Sequence, residues 1–179
     1  LRDAGIPVQR GEGFDDGRSC GIEAIPGELT DHYDPKSRVI RLSEGIYNNR
    51  SIAALGIAAH EAGHAVQHAQ AYAPLMLRSA VYPLSAIGST AAFPLFLIGF
   101  FFPPGVGQVM MQAAIILFSV AVFFTLVTLP VEFNASKRAL LALSNGGYMT
   151  EEELRGAKKV LDAAALTYVA GAAMAISQL

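Results

Sequence analysis

Two histidines and a glutamate form the pattern in this sequence that is best suited to metal chemistry. His60 and His64 stand four positions apart, and Glu61 directly follows the first histidine. On a helix, positions i and i+4 share one face, so both imidazole rings can reach one zinc ion. Glu61 then lies beside the metal, where a carboxylate can take a proton from an activated water and hand it to a leaving amine. The pattern predicts a hydrolytic zinc site, and Gly63 leaves space beside it for substrate or for another element.

A catalytic zinc ion needs a third protein ligand and one position left for water. Glu132 is favoured, because it follows Pro130 at the end of a long apolar run, where a carboxylate without a purpose would lie farther out. The alternative for Glu132 is a first-turn residue that interacts with the helix dipole. His68 would lie about 12 Å from His60 at ~1.5 Å per helical residue, too far to share one metal, so we expect it on the helix surface or behind a ligand. His32 stays open as a ligand, although an exposed strand histidine is more common.

Several neighbouring residues could support the site. Asn134 and Ser136 could orient the ligands by hydrogen bonds, although helix-capping or surface roles fit as well. The group that would stabilise the oxyanion stays open among His32, Tyr33 and Tyr148.

The composition is that of a membrane protein. Hydrophobic residues make up 53% of the chain and charged residues only 16%, whereas soluble domains carry about a quarter charged residues. Residues 79–131 contain no Asp, Glu, Lys or Arg. We interpret residues 81–102 and 109–129 as two membrane spans, each about as long as a bilayer crossing requires. Residues 160–179 are a third candidate span, with a buried amphipathic helix as the alternative.

Basic residues predict the orientation of these spans. Arg78 precedes them and five Lys or Arg residues follow them, whereas the connecting residues 103–108 contain none. Because basic residues are enriched in cytoplasmic segments, we expect both flanks, and therefore the histidines, on the cytoplasmic side. The net charge of −2 gives no indication of nucleic-acid binding. The single cysteine, Cys20, excludes an intrachain disulfide and a thiolate zinc cluster.

The expected fold is a mainly α membrane protein, forming a single domain over residues 1–179. A zincin-like zinc helix is predicted over residues 51–73, and the two-span hairpin is inserted between it and the third-ligand glutamate. A new polar helix is expected near Glu132, within a cytoplasmic helical region over residues 130–159, and Thr150 should cap a helix that follows. Residues 1–50 are expected to hold loops and a small β-hairpin, whose strands cover residues 28–33 and 38–42 around the turn sequence "DPKS".

The chain resembles a known family in motifs that run from residue 29 almost to the end. "AAHEAGHAVQHA", a hydrophobic hairpin and then "LPVEFNASKRAL" are similar to the membrane-bound neutral zinc metallopeptidases of the YugP type. This resemblance implies one zinc ion per chain, with His60, His64 and Glu132 as ligands and Glu61 as the general base. The plan is also similar to that of the wider membrane gluzincins, in which an aspartate supports a ligand histidine at the position held here by Ser136. Family members usually begin with a further membrane helix, so we expect the chain to be part of a longer one.

The expected function is that of a zinc endopeptidase anchored in a bacterial cell membrane, which cuts polypeptide substrates near the cytoplasmic surface. In zinc peptidases of this helix class an edge strand binds substrate as an added strand, and either strand of the hairpin could serve, or the hairpin could be purely structural. An intramembrane protease and a non-catalytic zinc-binding scaffold are the alternatives. A metal transporter is disfavoured because the two spans carry no charge and no histidine. An oligomer or a regulatory membrane partner stays open.

Overall fold

The computed structural model of the protein describes residues 8–10 and 20–179. Part of the predicted loop region therefore lies outside the described residues. The strands are β1 (Val8–Arg10), β2 (Cys20–Ile25), β3 (His32–Asp34) and β4 (Val39–Ser43). The helices are α1 (Glu44–Tyr47), α2 (Ile52–Ala69), α3 (Ala73–Gly99), α4 (Pro104–Asn145) and α5 (Glu151–Ser177). The mainly helical fold with a small sheet is thus confirmed.

The chain divides into two compact units, and the division passes through two of the helices. The first unit contains Leu1–Tyr72 and Glu132–Ala165, and the second contains Ala73–Val131 and Leu166–Leu179. The sheet, α2 and all residues predicted for the zinc site belong to the first unit. The assignment of one domain to the whole chain stays a prediction.

The sheet has the strand order β1-β2-β4-β3 among the described residues. Strands β1, β2 and β4 run parallel, and β3 pairs antiparallel with β4 as the predicted hairpin partner. The predicted first strand, residues 28–33, was wrong at its start, because the strand begins only at His32. Leu29 has a φ of 56°, which lies outside extended backbone and interrupts a strand at that point. In the described sheet, β3 forms one edge, whereas β4 is paired with β2 on one side and with β3 on the other.

One face of the sheet packs against α2. Cys20, Ile40 and Leu42 are buried together with Ala65 of α2 in one hydrophobic cluster. Alternate residues of a strand point to one face, so β4 presents Ile40 and Leu42 to the helix. This packing fixes α2 against the sheet.

Helix α2 begins as predicted and ends earlier than predicted. Ser51 caps it by accepting a hydrogen bond from the Ala54 N–H at 3.2 Å. The predicted extension to residue 73 was wrong, because Ala71 has a φ of 48° and the helix stops at Ala69. Pro74 lies in the first turn of α3, where its missing N–H leaves no intrahelical bond unmade.

Among the helices in the described part of the chain, α3, α4 and α5 are long and apolar enough to cross a membrane. The predicted spans fall mostly within α3 and α4, and residues 160–177 lie in α5. Large apolar side chains are exposed on the second unit, among them Phe93, Phe101 and Ile116 at 70%, 88% and 65%. A surface of this kind suits lipid contact.

Within the second unit, small residues allow α3 and α4 to approach closely. A Cβ at Gly88 would collide with the backbone oxygen of Leu117. Ser85 is buried, and its hydroxyl donates to the Tyr82 carbonyl at 2.8 Å, so it leaves no unsatisfied donor in an apolar environment. Glycine at helix contacts and hydroxyls bonded to their own helix are typical of membrane helices.

The prediction that a new helix begins near Glu132 was wrong. α4 runs without interruption from Pro104 through Pro130 to Asn145. The fixed φ of proline is compatible with helical backbone, so Pro130 removes one hydrogen bond without ending the helix. By contrast, Thr150 caps α5 as predicted: its hydroxyl accepts from the Glu153 N–H at 3.3 Å, and Glu153 accepts in return from the Thr150 N–H at 2.8 Å.

The environment of Cys20 predicts an unreactive thiol. Burial raises the pKa of Cys20 to about 11 from an ordinary value of 9.0, which lowers the thiolate fraction about 100-fold at neutral pH. Iodoacetamide should therefore label Cys20 at least about 100-fold more slowly in the folded protein than after denaturation, as followed by mass spectrometry. Equal labelling rates in the two states would contradict the burial of this residue.

Candidate metal centre

Helices α2 and α4 meet at Gly63, within the first unit. A Cβ at Gly63 would lie 2.5 Å from the carbonyl oxygen of Ala135 and 3.1 Å from its Cα. Since real Cβ atoms do not approach backbone so closely, only glycine permits this contact. The short distance between the helix axes brings the His60 and His64 side of α2 onto the Glu132 side of α4. The space predicted at Gly63 is thus filled by another element.

The side chains of His60, His64 and Glu132 converge. The Nε2 atoms of His60 and His64 lie 3.1 and 3.5 Å from Oε2 of Glu132. One donor atom from each of the three residues lies within 4.8 Å of the others, and this is the one such group found in the described part of the chain. Two ligands held tetrahedrally at ~2.0–2.1 Å from a zinc ion are about 3.4 Å apart, so the spacing fits this metal.

The other ring nitrogens of the two histidines point away from Glu132. Nδ1 of His60 lies 3.1 Å from the Ser136 hydroxyl, and Nδ1 of His64 lies 3.0 Å from Oε1 of Gln67. Histidines that bind metal through Nε2 are usually held in this way by a partner at Nδ1. Both rings are therefore oriented to offer Nε2 to the same point.

The electrostatics of the group favour a cation. Glu132 is only 2% exposed, and a buried carboxylate is costly unless an opposite charge accompanies it. Burial lowers the pKa of His64, but the hydrogen bond to Glu132 and its negative charge outweigh this and hold the pKa above its ordinary value. A positive charge at this position, whether a proton or a metal ion, is thus stabilised by the carboxylate.

Glu61 lies in the same electrostatic environment. Burial raises the pKa of its carboxyl above the ordinary value, against the opposing charges of His64 and His60. The backbone of Tyr33 in β3 interacts with this carboxylate and partly offsets the rise in its pKa. A buried carboxylate with a raised pKa is well suited to act as a general base.

The remaining predicted residues lie at different distances from the group. Ser136 contacts a ligand candidate directly, as described above, whereas Asn134 contacts Gln67 at 3.0 Å and reaches His64 only through it. The ring of His68 shares a hydrogen bond of 2.9 Å with the Tyr33 hydroxyl and so links α2 to β3.

His32 is exposed and does not join the group of ligand candidates. Its Nδ1 lies 2.7 Å from the Thr30 carbonyl oxygen. The alternative of His32 as the third ligand, left open from the sequence, therefore gains no support.

Gln67 is the residue that the sequence reasoning missed. It is fully buried, at 0% exposed, and it contacts His64 from the next turn of α2. A polar residue three positions after a ligand histidine shares its helix face, and this spacing was a usable signal.

Comparison with known proteins places these residues in a family context. A family model described as "Putative neutral zinc metallopeptidase" matches residues 16–179. A protein of Bacillus subtilis (strain 168) called "Putative membrane protease YugP" is 48% identical over 159 residues, which is 88% of this chain and 69% of that protein. No solved structure matches the chain.

The contact at Gly63 predicts the effect of adding one methyl group there. Gly63→Ala should force α2 and α4 apart, lower the free energy of unfolding by about 1–3 kcal/mol and weaken metal binding. Gly45→Ala is the matched control, since a Cβ there meets nothing within 4 Å. Thermal unfolding and zinc content in detergent micelles measure both effects. A Gly63→Ala protein as stable and as metal-rich as the control would contradict the close helix contact.

Proposed function

Because the chain belongs to the neutral zinc metallopeptidase family, we propose that it is a membrane-anchored, zinc-dependent endopeptidase. The observation that carries this proposal is the convergence of two imidazole Nε2 atoms on the buried Glu132 carboxylate. Glu61, a buried carboxylate on the same helix as both histidines, supplies the further group that hydrolysis requires.

His60, His64 and Glu132 are proposed as the ligands of one zinc ion. Two imidazoles and a carboxylate are a donor set that suits zinc, and three protein ligands leave one position for water or substrate. When bound, the ion would supply Lewis-acid polarisation of the scissile carbonyl and of the attacking water.

Glu61 is proposed as the general base. Its carboxylate would take the proton of the attacking water and deliver it to the nitrogen of the leaving amine. The backbone of Tyr33 in β3 interacts with this carboxylate, and burial raises the pKa of Glu61 towards the range in which it can accept and release a proton near neutral pH. Ser136 and Gln67 would hold the two imidazole rings while the proton moves.

The edge strand β3 is proposed to bind the substrate in an extended conformation. Of the two candidate strands, β4 is paired on both sides, by β2 and by β3, so it cannot accept a further strand. Within the described sheet, β3 is paired only with β4, and its residue Tyr33 interacts with Glu61 through the backbone. A peptide added along its other edge by backbone hydrogen bonds would run beside the general base.

We place the active site on the cytoplasmic side of the membrane, near its surface. Support comes from the basic residues that flank the apolar segments and from their absence in residues 103–108. An intramembrane protease is less well supported, because α2 carries the polar residues Glu61, Gln67 and His68. In addition, α2 is not among the helices that are long and apolar enough to cross a membrane. A zinc-binding scaffold would have no need of Glu61.

The substitution Glu61→Gln tests the proposal. It keeps the size of the side chain but removes the base, so hydrolysis of fluorescein-labelled casein in detergent micelles should fall by about 10²–10⁴-fold while zinc content stays at the wild-type level. Glu44→Gln, the same change at an exposed position of α1, is the matched control and should leave activity unchanged.

Two results would contradict the proposal. Wild-type activity in Glu61→Gln would exclude this residue as the base. Absence of hydrolysis in a zinc-loaded wild-type protein, together with an unchanged cellular phenotype in the variant, would favour the scaffold.

A further inference from the structure

We propose that Arg138 is a positioning residue for the metal centre. Through the amide side chains of Asn134 and Gln67, it fixes which ring nitrogen of His64 faces the metal. Arg138 lies outside the group of ligand candidates and on the surface side of a hydrogen-bonded chain that leads into it. This inference rests on the proposed zinc site and adds a residue that controls one of its ligands.

The hydrogen-bonded chain consists of four side chains, all of which belong to the first unit. Arg138 Nε donates to Oδ1 of Asn134 at 2.6 Å, one helical turn earlier on α4. The same Oδ1 accepts from Nε2 of Gln67 on α2 at 3.0 Å. Oε1 of Gln67 in turn lies 3.0 Å from Nδ1 of His64. Each link has the length of an ordinary or strong hydrogen bond.

The direction of every link follows from Arg138. A guanidinium has only donors, so Asn134 must turn its carbonyl oxygen towards it. That oxygen can also accept from Gln67, which must therefore present its amide nitrogen. The oxygen of Gln67 then faces His64, and an oxygen can bond Nδ1 only if that nitrogen carries the proton. The lone pair of His64 is left on Nε2, the atom that lies 3.5 Å from Glu132.

The second histidine lacks such control, which makes it a natural contrast. Nδ1 of His60 is bonded to the hydroxyl of Ser136. A hydroxyl can donate or accept, so this contact is compatible with a proton on either ring nitrogen. The hydrogen bonds that lead from Arg138 to His64 cannot reverse their direction in this way, because a guanidinium only donates.

The surroundings hold the chain in place. Gln67 is 0% exposed, so water cannot readily take over a link that is lost there. Arg138 Nη1 also donates to Oε1 of Gln70 at 2.7 Å, and the guanidinium carbon lies 5.8 Å from the centre of the Tyr72 ring. Both partners lie at or just beyond the end of α2, so Arg138 is anchored by the same segment whose histidine it orients.

The sign of the effect separates this role from simple electrostatics. Arg138 is a cation near a proposed cation site, so by Coulomb repulsion alone its removal should tighten zinc binding. Loss of the hydrogen-bonded chain should instead weaken it, since partners of this kind typically contribute 10–100-fold to metal affinity.

The test is the zinc dissociation constant of the full chain in detergent micelles, measured by competition with a chromophoric chelator. Arg138→Met removes every donor and should raise the constant about 10-fold or more. Arg138→Lys keeps a donor-only group and should recover most of the affinity. Lys137→Met is the matched control, because it removes one positive charge from an exposed neighbour and should leave zinc binding unchanged or slightly tighter.

A second readout reports the orientation of the ring directly and does not depend on affinity. The chain has four histidines, so the ring nitrogens can be resolved by NMR of the ¹⁵N-histidine-labelled, metal-free protein, at an alkaline pH at which the imidazoles are neutral and no zinc sets the ring state. In the wild type, His64 should carry its proton on Nδ1 alone, and in Arg138→Met this single state should be lost. Thermal unfolding of the metal-free variants separates a local effect from general destabilisation.

The outcomes are distinct. Wild-type or tighter zinc binding in Arg138→Met, equal loss in Arg138→Lys and Arg138→Met, or an unchanged His64 ring state in Arg138→Met would each overturn the inference. A wild type that binds no zinc would instead overturn the proposed function on which it rests.

Discussion

The contact between the buried Glu132 carboxylate and two imidazoles is the interaction on which the rest of the account depends. It joins α4 to α2 across about 70 positions of sequence, with Nε2 to Oε2 distances of 3.1 and 3.5 Å. A carboxylate that is 2% exposed is stable only with a compensating positive charge. The arrangement therefore calls for a cation at the point where the three side chains meet, and the two donor distances from Glu132 suit zinc.

The surrounding first unit can be understood as support for this point. The sheet fixes α2 by burying Ile40 and Leu42 against it, and glycine at position 63 lets α4 approach closely enough for Glu132 to reach the histidines. The edge strand contributes through Tyr33, whose backbone interacts with Glu61 and whose hydroxyl contacts His68. Ligands, base and proposed substrate strand thus depend on the same helix, α2, and a shift of that helix would affect all three.

The sequence predicted the local features well because they depend on short spacings. The i and i+4 histidines, the start of α2 near Ser51, the Thr150 cap and the long uncharged stretch all depend on residues that are close in sequence. Features that depend on distant pairing were not predictable in this way: the parallel partners of β4, the passage of α4 through Pro130, and the chain from His64 to Arg138. Gln67 is an intermediate case, since its position three residues after His64 was informative but its burial arises only when α4 packs against it. His32 was left open as a ligand with an exposed strand histidine as the more common case, and it is exposed and lies outside the group.

The most direct test of the central claim is the zinc content of the purified wild type and of Glu132→Ala, determined by elemental analysis with the folded state of both checked by circular dichroism. We predict about one zinc ion per chain in the wild type, and loss or strong weakening of binding in the variant because only the two imidazoles remain. Full zinc retention in a folded Glu132→Ala protein would contradict the account, since the buried carboxylate would then not be a ligand.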